Sequence, residues 1–356
     1  MAIRISKKET KEGKKYFYDV YYDKKRYRSK LFSTKSEAKK AERDFLERLE
    51  KGLSSNDYTF NDVIDKYIAH KKRVWKKSTE ETTVDILNHI RYKLGKIKVR
   101  ELTTKQYEAF LDYIDNLSTV SKHSGKLIKK PYSVRYKNRV LMYVKSVCDY
   151  AKKHLRVSTD IPWMYDNWKD NSQKKMQVLT VAEFDSFLQY VSGDYKSFFT
   201  FLFYTGCRRG EALALTFEDV DFQSRTIRIN KSFSKVENKP VSTKTKSSIR
   251  TIPVSSKAFQ AVEEMYSKYH KGYIFGGKKP LGFSSIERHK NRALDKAGLP
   301  RIRVHDLRHS FITMMINKGA DIATVSRYVG HSSIKQTLDT YTHYYENKMK
   351  EVINIL

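Results

Sequence analysis

Apolar residues recur at helical spacing over most of this chain and alternate with a period of two in only a few short runs. The first run, Lys15-Tyr16-Phe17-Tyr18-Asp19-Val20-Tyr21-Tyr22, is rich in aromatic strand formers. A turn at Asp23-Lys24-Lys25 leads into a second strand from Arg26 to Phe32. Thr34 followed by Glu37 reads as a capping box, and Ala38, Ala41, Phe45 and Leu49 form the apolar stripe of the helix it opens. The pattern predicts a small sheet backed by one helix. After the small polar linker Lys51-Gly52-Leu53-Ser54-Ser55-Asn56-Asp57 the period becomes helical. Thr59 precedes a helix around Val63, Ile64, Tyr67 and Ile68. Ser78 with Glu81 starts a second through Ile86, Leu87 and Ile90, and Thr103 with Gln106 opens a third through Phe110 and Ile114. Residues 118–132 read as a loop ending near Pro131, and Ser133 caps a long helix bearing Tyr136, Val140, Val144, Val147 and Ala151. This middle module is expected to be all-helical.

A second linker runs from about Val157 to Val178, and Thr180 with Glu183 forms another capping box. Beyond it the signals are mixed. Phe198 to Tyr204 is helix-like, Thr226–Asn230 alternates as a strand, and Arg250–Val254 is its expected hairpin neighbour. Helices resume near Ser284, His305, Asp321 and His331. The expected fold is multidomain α+β. A three-stranded sheet with a helix occupies 1–52, a helical domain 58–156, and a mainly helical domain with a small antiparallel sheet 175–356.

Composition narrows the partner. The 356 residues hold 71 Lys+Arg against 40 Asp+Glu, a net charge of +31, which points to nucleic acid or an anionic membrane surface. No stretch approaches the ~18 apolar residues of a spanning helix, and the basic N-terminus has no apolar core of signal-peptide length, so a cytoplasmic protein without membrane contact is expected. Two distant cysteines, Cys148 and Cys207, exclude a disulfide framework and a cysteine zinc site. Charge is densest at the start. Residues 1–35 carry twelve Lys/Arg against four acids, and Arg26, Arg28 and Lys30 share one face of the second strand, as DNA contacts or as a solvated surface.

Four clusters carry candidate chemistry. In Thr205-Gly206-Cys207-Arg208-Arg209-Gly210-Glu211 a carboxylate three residues on can hold one guanidinium, and a held Arg fork suits a phosphate. Thr243-Lys244-Thr245-Lys246-Ser247-Ser248 puts lysines at a hairpin tip that can reach a substrate above the sheet. His305-Asp306-Leu307-Arg308-His309 combines a proton carrier with a cation, and lacks the spacing of a zinc motif. Gly330-His331-Ser332-Ser333 is followed, ten residues past the histidine, by Tyr341. Cationic neighbours help a tyrosine, whose ordinary pKa is ~10, lose its proton. Neither a carboxylate cluster for magnesium nor a P-loop is present in the sequence, so no metal or cofactor is expected.

Taken in order, these boxes resemble the active-site motifs of the tyrosine recombinases, in particular the integrases of phages and integrative conjugative elements. The resemblance covers the whole chain; the two N-terminal domains match by architecture and position. It implies that Arg208 and Arg308 clamp the scissile phosphate and that Tyr341 is the nucleophile, forming a 3′-phosphotyrosyl link. His305 becomes general base or hydrogen-bond donor, and Lys244 (or Lys246) the general acid. It further implies that His331 buttresses the transition state and that Glu211 orients an active-site histidine and arginine. Partners follow as core and arm DNA sites, a homotetramer on two duplexes, and DNA-bending or excision accessory proteins. The apolar tail after Tyr345 packs in cis or docks on a neighbouring protomer. Two other functions fit parts of this pattern: type IB topoisomerase-like relaxation, and DNA binding without catalysis.

Overall fold

The computed structural model describes residues 2–5, 15–22, 25–50, 58–123, 126–170, 177–242, 249–331, 333–335, 337–338 and 353. The chain divides into two compact units, 1–172 and 173–356.

Strands β1 (Ala2–Ile5), β2 (Tyr16–Tyr22) and β3 (Lys25–Arg28) form an antiparallel sheet in the order β1-β2-β3. Helix α1 (Lys35–Glu50) covers one face, where the Tyr18 and Tyr27 rings each lie 5.3 Å from Phe45. Thr34 and Glu37 form the expected capping box, each side chain bonded to the other residue's backbone N–H. Register places Arg4 opposite Phe17, Arg28 opposite Asp19 and Arg26 opposite Tyr21, so these residues share the face turned from α1. There Asp19 accepts from Arg26 at 2.6 Å and lies 3.7 Å from Arg4, while Arg28 sits 4.1 Å over the Phe17 ring. The hydrogen bond from Arg26 holds the Asp19 carboxyl below its ordinary range. The strand is shorter than expected: β3 ends at Arg28, so Lys30 does not belong to the same strand face.

The middle module packs α2 (Phe60–Lys71), α3 (Lys77–Leu94), α4 (Thr104–Asp115) and α5 (Val134–Tyr150) around Phe60, Ile64, Ile86, Ile90, Phe110, Val140 and Val144, all buried. Thr59, Thr103 and Ser133 each accept a backbone N–H at their helix starts. Two expectations fail here. Helix α3 begins at Lys77, after Lys76 and without a side-chain cap, so Ser78 and Glu81 lie inside it. Residues 118–132 are largely a hairpin, not a loop: β4 (Ser118–His123) pairs with β5 (Lys126–Pro131), Ser118 opposite Pro131 and His123 opposite Lys126. The module is therefore not all-helical. With only Val120, Leu127 and Ile128 apolar, the segment has no alternating pattern to announce a strand.

In the second unit, α6 (Val181–Leu188) starts at the expected Thr180/Glu183 capping box. It is followed by α7 (Asp194–Thr205) and α8 (Arg209–Ala214). Next come β6 (Val220–Asp221), β7 (Thr226–Ile229), β8 (Lys231–Ser234), β9 (Lys239–Ser242) and β10 (Arg250–Pro253). Helices α9 (Ser256–Tyr269), α10 (Phe283–Lys296), α11 (Asp306–Asn317) and α12 (Ile322–Val329) follow. β10 and β7 pair antiparallel as expected, with Ile252 opposite Ile227, but they are not joined by a tight turn: the β8–β9 ribbon intervenes. The core is aromatic. Phe184 stacks on Phe203 at 3.8 Å, and Phe198, Phe199, Phe201 and Phe275 are buried with them. At ~1.5–3 kcal/mol for each such side chain, this core makes α7 and α11 a rigid base for whatever their ends carry. Among the described residues no helix is long and apolar enough to cross a membrane.

Candidate active site

Helix α7 stops at Gly206, whose φ of 62° suits a residue without a Cβ; a Cβ there would meet the Phe311 ring at 2.5 Å. The chain then turns through Cys207 and Arg208 into α8. Glu211, in the first turn of α8, reaches back to accept the Arg208 backbone N–H at 3.0 Å and its Nη1 at 2.8 Å. Glu211 is 2% exposed. Its second partner is Arg250 at the start of β10, whose Nη2 donates at 3.0 Å. Burial opposes the charged carboxylate, yet Arg250 and Arg208 together hold its pKa below the ordinary value.

Arg308 stands in the first turn of α11 and is 2% exposed. Its Nη1 donates to the carbonyls of Gly206 (2.9 Å) and Val329 (2.8 Å). Its Nη2 is buried without a partner among the described residues. Burial, then the like charge of Arg208, lower its pKa to about 9, so it stays protonated at neutral pH.

The C-terminal turn of α12 ties these arginines together. Tyr328 O accepts from Arg250 Nε (2.7 Å), Val329 O from Arg308, and Gly330 O from Arg208 Nη2 (2.9 Å). Three successive carbonyls at the negative end of a helix are thus met by three guanidiniums. Gly330 ends the helix at φ 72°, where a Cβ would lie 2.8 Å from Arg250 Nη1.

His305 precedes α11 and His331 follows Gly330. Burial, then His309, push His305 down to about 4, and burial, then Arg308, push His331 down to about 3. Both rings are neutral at pH 7. His331 Nδ1 lies 2.7 Å from Thr337 Oγ1. Cys207 is buried beside the arginines, and burial raises its thiol to about 11, so it stays protonated.

The fold therefore brings Arg208, Glu211, His305, Arg308 and His331 together from three stretches spread over more than a hundred residues of chain. Lys244, Lys246, Tyr341 and, except for Ile353, the tail 351–356 lie outside the described residues. Glu211 pairs with two arginines, Arg208 and Arg250. The sequence marks Arg250 only as a strand residue, since its carboxylate partner lies 39 positions earlier and no local spacing links them.

The family model for the phage integrases matches residues 177–348, and the model for the phage integrase N-terminal SAM-like domain matches residues 59–114. The chain belongs to the phage integrase family. It is 28% identical to the ICEBs1 integrase of Bacillus subtilis (strain 168) over 350 residues, covering 91% of this chain and 90% of that protein. It is 24% identical over 352 residues to a XerC-like tyrosine recombinase of Caldanaerobacter subterraneus, covering 87% of this chain and 86% of that one. Its fold matches the Tn1549 transposon integrase solved with a circular intermediate DNA, at TM-score 0.65 and 19% identity, covering 83% of this chain and 99% of that one. It also matches the lambda integrase tetramer bound to a Holliday junction, at TM-score 0.60 and 17% identity, covering 93% and 95%. As a member of the family the chain is an enzyme of the tyrosine recombinase type.

Proposed function

We propose that this chain is the integrase of a mobile element, which cuts, exchanges and rejoins DNA strands at specific sites with Tyr341 as nucleophile. The observation that carries the reading is the charge imbalance: three guanidiniums, Arg208, Arg250 and Arg308, gather about one carboxylate among the described residues, Glu211, which pairs with the first two, and one nitrogen of the buried Arg308 has no protein partner among them. Such a centre calls for an anion, and preorganised cationic donors are what a phosphodiester in transesterification requires.

In this reading Arg208 and Arg308 contact the non-bridging oxygens. The Tyr341 hydroxyl attacks phosphorus as the bond to the 5′-oxygen breaks, leaving a 3′-phosphotyrosyl link. Neutral His305 can accept the tyrosine proton, and Lys244 (or Lys246) gives one to the leaving oxygen. With the Thr337 hydroxyl donating to His331 Nδ1, Nε2 carries the proton and can donate to the phosphate. Attack by the freed 5′-hydroxyl of the partner strand reverses these steps and rejoins the DNA without ATP.

Residues 1–52, 58–156 and 175–356 would bind arm DNA, bind core DNA and perform catalysis, with Arg26 and Arg28 on the arm. Exchange between two duplexes requires four cuts, hence a tetramer, working on a bacterial chromosome in the cytoplasm. A suicide duplex carrying the attachment site tests the reading. Wild type should form a covalent DNA adduct and Tyr341→Phe should form none; an adduct with the phenylalanine variant overturns the mechanism.

A further inference from the structure

Arg209 follows an arginine of the catalytic cluster but takes no part in it. Its side chain turns the other way, into a cavity of about 500 Å³ lined by Gly210, Phe233, Lys235, Phe283, Glu287 and Arg303 as well as by His305. His305 thus faces both this cavity and, through its electrostatic coupling to Arg208 and Arg308, the cluster. Arg209 is held firmly. Nη1 donates to Glu287 at 2.9 Å, the guanidinium lies 4.7 Å over the Phe283 ring, and Glu287 also accepts from Lys290 at 2.7 Å. Gly210 allows β8 to lie against α8, since a Cβ there would strike Ser232 Oγ at 2.5 Å. That close approach closes one wall of the cavity.

The lining is mostly cationic. Arg209, Lys235 and Arg303 outnumber the one carboxylate of the described lining, Glu287, which Arg209 and Lys290 share. Lys235 is exposed and Arg303, paired to Asp306 at 2.7 Å, keeps 74% of its side chain in solvent. Cations over aromatic rings beside a phosphate centre suit a second phosphate. Consecutive Cα atoms lie ~3.8 Å apart and each DNA strand carries one charge about every 3.4 Å of axis, so adjacent arginines with diverging side chains can address adjacent phosphates.

We propose that this cavity is a second phosphate subsite, in which Arg209 binds the phosphodiester next to the one that is cut, on the same strand. The inference rests on the recombinase reading above. Arg209 is then a positioning residue: it sets the strand in line for attack and touches no reacting atom.

The test is covalent adduct formation on suicide duplexes with a single neutral methylphosphonate immediately 5′ or 3′ of the scissile phosphate. With wild type, neutralising one of these two positions should slow adduct formation about tenfold or more, the scale of a charge-assisted bond. Arg209→Ala should lose a similar factor on native DNA and show no further loss with that methylphosphonate. Arg209→Lys, which keeps the charge and spares the Glu287 pair, should fall between the two. Multiplicative losses at both positions in Arg209→Ala and Arg209→Lys, or a wild type indifferent to both methylphosphonates, overturn the subsite. Failure of wild type to form any adduct on native DNA would instead sink the recombinase reading itself.

Discussion

Replacing Glu211 by Gln removes the one carboxylate that pairs with the arginine cluster among the described residues, while keeping the side chain's shape. In the wild type the carboxylate is 2% exposed and bonded to Arg208 and Arg250, whose side chains are 34% and 8% exposed. Removing one partner of a buried ion pair costs about 3–5 kcal/mol, because the remaining charges stay desolvated and uncompensated. Gln keeps one acceptor oxygen and the helix carbonyls still hold all three arginines, so the lower end, about 3 kcal/mol, is expected. For a unit of this size that corresponds to a melting temperature lower by about 6–12 °C. Calorimetry on the DNA-free protein measures it, and sulfate should recover more of the melting temperature in the variant, because an anion can replace the lost charge. The pH dependence has a definite sign. The folded pKa of Glu211 is depressed, so its stabilisation is complete above the ordinary carboxyl range and disappears as pH falls through the folded value. Wild type and variant should converge there. A variant melting within about 2 °C of wild type at pH 7, with no extra response to sulfate, would refute the view that Glu211 neutralises the cluster.

Gly330→Ala should lower stability by about 1–2 kcal/mol from the left-handed backbone alone. It should also reduce adduct formation, because the new Cβ would press on an Arg250 guanidinium that Glu211 prevents from moving aside; unchanged melting and cleavage would contradict the packing. His305 and His331 have folded pKa values of about 4 and about 3, below the ordinary histidine value. As pH falls from about 6.5 toward 4 the unfolded chain takes up protons that the folded one refuses, so DNA-free stability should drop by up to ~1.4 kcal/mol per pH unit for each ring. Proton NMR showing either ring titrating near 6.5 would exclude this. Deletion of residues 1–52 should flatten the dependence of log K on log salt for arm-site DNA by about 2–3 units, matching Arg4, Arg26 and Arg28 on one sheet face. An unaltered slope would place arm binding elsewhere.

Much of this architecture was legible because its signals are local. A capping residue and its partner lie three positions apart, so the starts of α1, α4 and α6 could be read from Thr34/Glu37, Thr103/Gln106 and Thr180/Glu183. The same reading misplaced the start of α3, where Ser78 and Glu81 have the right spacing but the helix already runs from Lys77. The hairpin at Ser118–Pro131 was invisible for want of apolar alternation. In the active site, Arg208 with Glu211 and His305 with Arg308 lie within single turns of chain and carry recognisable spacing. The contacts that join those turns do not. Arg308 is anchored on the carbonyls of Gly206 and Val329, atoms every residue type possesses, and Arg250 meets Glu211 only because β10 folds beside α8.

The C-terminal turn of α12 has a mechanical meaning. The chain leaving Gly330 is the one that leads to Tyr341, and Tyr328, Val329 and Gly330 grip the arginines by their backbone. In the proposed mechanism, tension on the segment that carries Tyr341 would therefore reach the arginines through a turn only three residues long. A protomer whose tyrosine is pulled aside should hold its substrate less firmly, and one with a firmly held phosphate should resist that pull. On that mechanism, readiness to cut and hold on the DNA would be two expressions of one tether.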